Sequence, residues 1–144
     1  MKKSILFVIV ILASFSVFAH GDYSEDITTM QEQLLGQELQ GSFAKYMSDE
    51  RINLNIGLQD GKDLDLGITT ENKVITQFDK VTLENPTLEI HTTEDTLNTI
   101  LESENSLMLI AKALNEGTIQ YKANGFFNKI KYGVIVSMIK NKAR

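Results

Sequence analysis

The 144-residue chain has no cysteine, no tryptophan, one proline and two histidines. Without thiols it can form no disulfide, thiolate nucleophile, cysteine-ligated zinc site or iron–sulfur cluster. With no tryptophan to stack bases and a formal charge of −5, it lacks the footprint of a nucleic-acid binder, so no nucleic-acid partner is expected. Catalytic signatures are missing too: there is no GxSxG, HExxH, Walker loop or GxGxxG. No spacing pairs a nucleophile with a base, and the reading is of a protein that is not an enzyme and needs no cofactor. What the chain does contain is globular chemistry, 42% hydrophobic and 23% charged, which excludes collagen-like and disordered classes. Its length suits one domain, able to bury roughly two thirds of its unfolded surface without a metal or disulfide staple.

The one long apolar run stands at the start. Met1-Lys2-Lys3 is followed by uncharged Ser4 to Phe18, and Val17-Phe18-Ala19 supplies a small residue at −1 and an acceptable one at −3 for cleavage after Ala19. Positive start, apolar middle and small-residue exit make a secretory signal peptide over residues 1–19. A retained anchor is the alternative, although fifteen residues at about 1.5 Å each fall short of a hydrocarbon core of about 30 Å. Either way the expected location is extracytoplasmic, secreted or membrane-anchored, with residues 20–144 as a single domain.

Charge is unevenly placed. Residues 20–116 carry six Lys/Arg against all 19 Asp/Glu, whereas residues 117–144 carry six Lys/Arg and no acid. The body is acidic, and its C-terminal segment is basic and apolar.

Periodicity predicts a helix from Glu25 to about Met47, weakened by Gly36 and ended or broken by Gly41. Ile52, Leu54, Ile56 and Leu58 alternate with polar residues, as do Leu64, Leu66 and Ile68, and Asp60-Gly61 lies between the two runs. That pattern predicts a hairpin with a type I′ turn and one wet face. Thr70-Glu71-Asn72 reads as the next turn and Lys73 to Phe78 as a third strand. At Asn85-Pro86 the proline biases Asn85 toward an extended conformation, ahead of a short strand from Thr87 to His91. Thr92 or Thr93 caps a helix lined by Leu97, Ile100 and Leu101. A second helix runs from about Asn105 to Leu114, with Gly117 as its stop. A fifth strand covers Thr118 to Ala123, and a last helix runs from Phe126 to about Asn141.

Metal readings fail on their own terms. Asp60, Asp63 and Asp65 belong to the hairpin's turn and solvent face, and no EF-hand spacing follows them. A copper site from His20 and His91 would need two distant residues to converge. No metal is expected.

In the last helix Phe126, Phe127, Ile130, Val134, Ile135, Met138 and Ile139 occupy two adjacent stripes, an arc wider than one packing face. Both stripes are core, or one borders a ligand cavity, a membrane surface or a partner.

Two stretches resemble the sterol-binding domain family of sterol carrier protein type two. One is Asn85-Pro86-Thr87-Leu88-Glu89-Ile90-His91-Thr92-Thr93-Glu94-Asp95-Thr96-Leu97, similar to that family's strand followed by a Ser/Thr-capped acidic helix start. The other is Ala113-Leu114-Asn115-Glu116-Gly117-Thr118-Ile119-Gln120-Tyr121-Lys122, similar to its helix followed by a glycine-led strand, with Thr118 where lysine is frequent. The resemblance implies an α+β fold: a five-stranded, mainly antiparallel sheet with helices packed on one face, enclosing an apolar tunnel. The tunnel of that family takes sterols, fatty acyl chains or related lipids without chemistry. On this reading Leu107, Ile110, Leu114, Phe126, Phe127, Ile130, Val134 and Met138 line the ligand site, and Lys129 and Lys131 meet a head group or membrane surface. The expected function is non-catalytic carriage of an apolar lipid (sterol-like, fatty acyl or isoprenoid). The alternative is an interaction module of the same fold with a filled core, docking a protein partner or the membrane surface.

Overall fold

The computed structural model describes residues 28, 31, 32, 34–39, 47–101 and 103–142, with side chains excepted at Leu101, Ser106, Leu107 and Lys142. The expected leader and much of the first expected helix lie outside the described residues. Five strands, β1 (Arg51–Gly57), β2 (Asp63–Glu71), β3 (Val74–Asp79), β4 (Leu88–Thr93) and β5 (Gln120–Ala123), form one sheet in the order β3-β2-β1-β4-β5. Three helices follow the first four strands: α1 (Glu94–Leu101), α2 (Ser106–Glu116) and α3 (Phe126–Lys142). The fold is α+β. Its sheet is mixed, because β1 and β4 run parallel while the other three pairings are antiparallel.

Alternation decides the core. Ile52, Leu54 and Ile56 sit opposite Ile68, Leu66 and Leu64 in register, and all six are buried. The same face continues into β4, where Leu88 and Ile90 pair with Ile52 and Leu54. Leu97 and Ile100 of α1, Ile110 of α2, and Tyr132 and Ile135 of α3 are buried against it.

To reach β4 from β3 the chain must cross β2 and β1, three inter-strand steps of about 4.8 Å each. Residues 80–87 make this crossing on the face opposite the helices. Asn53 receives Leu83 N–H on its side-chain oxygen at 2.8 Å and donates its amide to Leu83 O at 3.0 Å. Below this strap lies Gly67, where a Cβ would come within 2.9 Å of both Leu83 and Val81. The face expected to be wet is therefore partly covered.

Four local expectations are corrected. The helix expected up to Met47 does not run through: Gly36 turns at φ 83°, and Gln37 and Leu39 then bond along β3 to Ile75 and Lys73. The Asp60-Gly61 turn is a three-residue loop with only Gly61 left-handed, closed by Gly61 N–H to Leu58 O and Leu58 N–H to Lys62 O. The two consecutive left-handed residues of a type I′ turn occur instead at Asn72 (φ 49°) and Lys73 (φ 67°), so Thr70 and Glu71, expected in a turn, belong to β2, and Lys73, expected in β3, belongs to the turn. Asn85 is left-handed at φ 51° and not extended, a conformation its short polar side chain tolerates. The caps follow the reading more closely. Thr93 Oγ1 accepts Thr96 N–H at 3.2 Å at the start of α1, and Gly117 ends α2 at φ 82°.

Candidate functional site: an apolar cavity under the last helix

Between the sheet and helices α2 and α3 lies a partly open cavity of about 140 Å³. Its floor is Ile52, Leu54, Ile68, Leu88 and Ile90, with Thr92 at one end and Met47 before β1. Ile110 and Leu114 of α2 and Ile119 and Tyr121 beyond it form one side. Tyr132, Ile135, Val136 and Ile139 of α3 form the roof. The atoms facing the space are apolar throughout. Thr92 turns its hydroxyl away, donating to Thr118 O at 3.0 Å.

The side chains between the sheet and α3 are mostly aliphatic and leave the space unfilled. At about 24 cal/mol per Å³, leaving 140 Å³ empty costs at most about 3 kcal/mol relative to a filled core. An apolar space of about this volume accepts a benzene-sized group, and here it is open on one side.

One polar cluster borders the cavity. Glu50, 1% exposed, accepts hydrogen bonds from Lys131 Nζ and from the hydroxyl of Tyr132, a roof residue. Lys131 Nζ also lies 5.0 Å from the Tyr132 ring centroid. Thr70 Oγ1 accepts Glu50 N–H at 2.9 Å and donates to Met47 O at 2.9 Å, fixing the backbone that carries the carboxylate. Burial, the hydrogen bond to Glu50 and the charge of Glu50 together hold the Tyr132 phenol well above the usual tyrosine range, against a hydrogen bond from Thr87. The cluster fastens α3 to the residue that precedes β1.

The residues expected to line the site are placed as follows. Ile110 and Leu114 are on the cavity wall. Met138 is half-buried against the core cluster. Phe126, Phe127, Ile130 and Val134 stand on the outer face of α3, 72, 83, 53 and 44% exposed. The side chain of Leu107 lies outside the described residues. Lys131 is engaged by Glu50, and Lys129 is exposed. Tyr132, Val136 and Glu50 were not anticipated. Glu50 had a signal, because it is in phase with Ile52, Leu54 and Ile56 and so falls on the buried face. Among the described residues no group of three or more His, Asp or Glu is placed to hold a metal ion.

Sheet, strap and roof define a single-sheet α+β domain with an apolar cavity beneath its helices. No family model and no curated protein matches the chain. Among solved structures, it is similar to one described as "UbiJ-SCP2 Ubiquinone synthesis protein", at 7% identity and a TM-score of 0.43, over 80% of this chain and 84% of that one. It is also similar to two structures of a sec-alkyl sulfatase, one described as Pisa1 from Pseudomonas sp. and the other a double mutant. These give 20 and 21% identity, TM-scores of 0.37 and 0.39, and 65 and 64% of this chain. The chain spans 14% of the length of either sulfatase.

Proposed function

We propose that the domain binds the hydrocarbon end of a lipid in the cavity beneath α3 and carries it without chemical change, outside the cytoplasmic membrane. The observation that supports this reading is the cavity itself: an aliphatic core that leaves about 140 Å³ open with no polar atom facing it. Each buried methylene contributes about 0.8 kcal/mol, so a few methylenes also recover the cost of the void. The space suits the end of an acyl or isoprenoid chain, whose remainder emerges through the open side.

Native mass spectrometry of the purified full chain, followed by solvent extraction, tests the proposal. The expected result is a stoichiometric fatty acyl or isoprenoid lipid. An unliganded protein that also ignores fluorescent acyl and sterol probes overturns it.

A further inference from the structure

Helix α3 has a second apolar face that the cavity does not use. Phe126, Phe127, Ile130 and Val134 are exposed there, opposite the buried Tyr132 and Ile135. The two phenylalanine rings meet edge to face with centroids 5.6 Å apart, so the pair forms one raised apolar knob at the helix start. At 3.6 residues per turn, Lys129 and Lys140 stand about 80–100° round the helix from Ile130, along one border of the stripe. Lys131 borders the other side but is engaged by Glu50. From Gly117 onward the chain has six Lys/Arg and no acid, whereas residues 20–116 hold all 19 acidic side chains.

This distribution discriminates between occupants of the stripe. A second copy of the chain would set two basic helices face to face, and like charges at a shared interface oppose that pairing. An anionic lipid surface attracts the basic segment and repels the acidic body, so electrostatics alone turns α3 toward the membrane. Exposed phenylalanines with bordering lysines then match the layering of an interface: rings at the acyl boundary, ammonium groups at the phosphates.

We propose that α3 docks the protein on an anionic lipid bilayer, with Phe126, Phe127, Ile130 and Val134 entering the headgroup–acyl boundary and Lys129 and Lys140 meeting lipid phosphates. The docking face is separate from the cavity lining, so it stands whether or not the cavity is filled.

Because the chain has no cysteine, Ile130→Cys introduces a single thiol for an environment-sensitive fluorophore. Thr76→Cys on β3, at the opposite edge of the sheet, is the control. The full chain is used, and the signal at position 130 separates docking of α3 from any attachment through residues 4–18. With vesicles of phosphatidylcholine and phosphatidylglycerol, the label at 130 shifts to the blue and is quenched by brominated lipid, while the label at 76 is unchanged. Raising salt from about 0.1 to 0.5 M weakens the effect roughly tenfold. Phe126→Ser with Phe127→Ser weakens it roughly a hundredfold. A label at 130 that stays in water with these vesicles overturns the proposal. So does an equal, salt-independent shift on pure phosphatidylcholine, or a shift that needs protein concentration and no vesicles, which would mark a second copy as the occupant.

Discussion

Glu50 shows what a single carboxylate costs and returns in this fold. A buried carboxylate without partners is penalised by several kcal/mol, and here Lys131 and Tyr132 supply two donors. The consequence for Tyr132 is a phenol that resists ionisation through burial and through the adjacent carboxylate. In the unfolded chain that phenol ionises near pH 10, so above about that pH the unfolded state releases a proton that the folded state keeps. Stability is then fully present below pH 10 and falls as pH rises past it. Denaturant unfolding between about pH 8 and 11 should show this loss, and Tyr132→Phe should reduce the slope while costing about 1–2 kcal/mol at neutral pH, because Glu50 loses a donor. Equal slopes for the two proteins would mean that Tyr132 ionises as freely in the folded state.

At the scale of elements, the turn between β2 and β3 is where local chemistry and global structure disagree. Lys73 is held at φ 67°, a conformation costing a non-glycine residue about 1–2 kcal/mol. Glycine there gives back about 0.5–1 kcal/mol through unfolded-state entropy. Lys73→Gly should therefore stabilise the protein by about 0.5–1 kcal/mol, read as a higher denaturation midpoint with an unchanged m-value. The backbone bonds from Lys73 N–H to Ser48 O and from Leu39 N–H to Lys73 O stay available to glycine. The same turn shows what was legible. Alternation at Ile52–Leu58 and Leu64–Ile68 places both strands and their buried face, because a period of two admits one inward set. Thr93 starts α1 and Gly117 ends α2 as capping chemistry demands. Lysine has no preference for a left-handed turn, so nothing at position 73 announces one. In α3 the two apolar stripes differ little in periodicity. The interior takes the one with Ile135 and Ile139, and on that side Tyr132 also reaches Glu50, a pairing across 82 positions that no local pattern reveals.

For the whole molecule, the cavity is an unfilled part of the core, and filling it is the direct test of its role. Val136 is half-buried on the roof, and Val136→Phe would place a ring in a space of benzene size. The variant should lose binding of acyl probes while keeping or gaining up to about 2 kcal/mol of stability, since the ring occupies the void without forcing the wall apart. Probe binding at wild-type affinity would put the ligand elsewhere. Together the cavity and the outer stripe explain why α3 is apolar on both sides: one face roofs a space and the other meets the surroundings.

The parallel pairing of β1 with β4 also carries a kinetic meaning. The neighbours β1, β2 and β3 are joined by short turns, and β4, the helices and β5 follow one another along the chain. Within the sheet the two groups meet along the β1–β4 seam, beside which bonds such as Arg51 N–H to Thr87 Oγ1 span 36 positions. Closing a loop of that length costs about 3 kcal/mol of chain entropy before any seam contact offsets it. Pairing across the seam must wait on that closure, so β1 keeps an unpaired edge until residues 88–93 have been made.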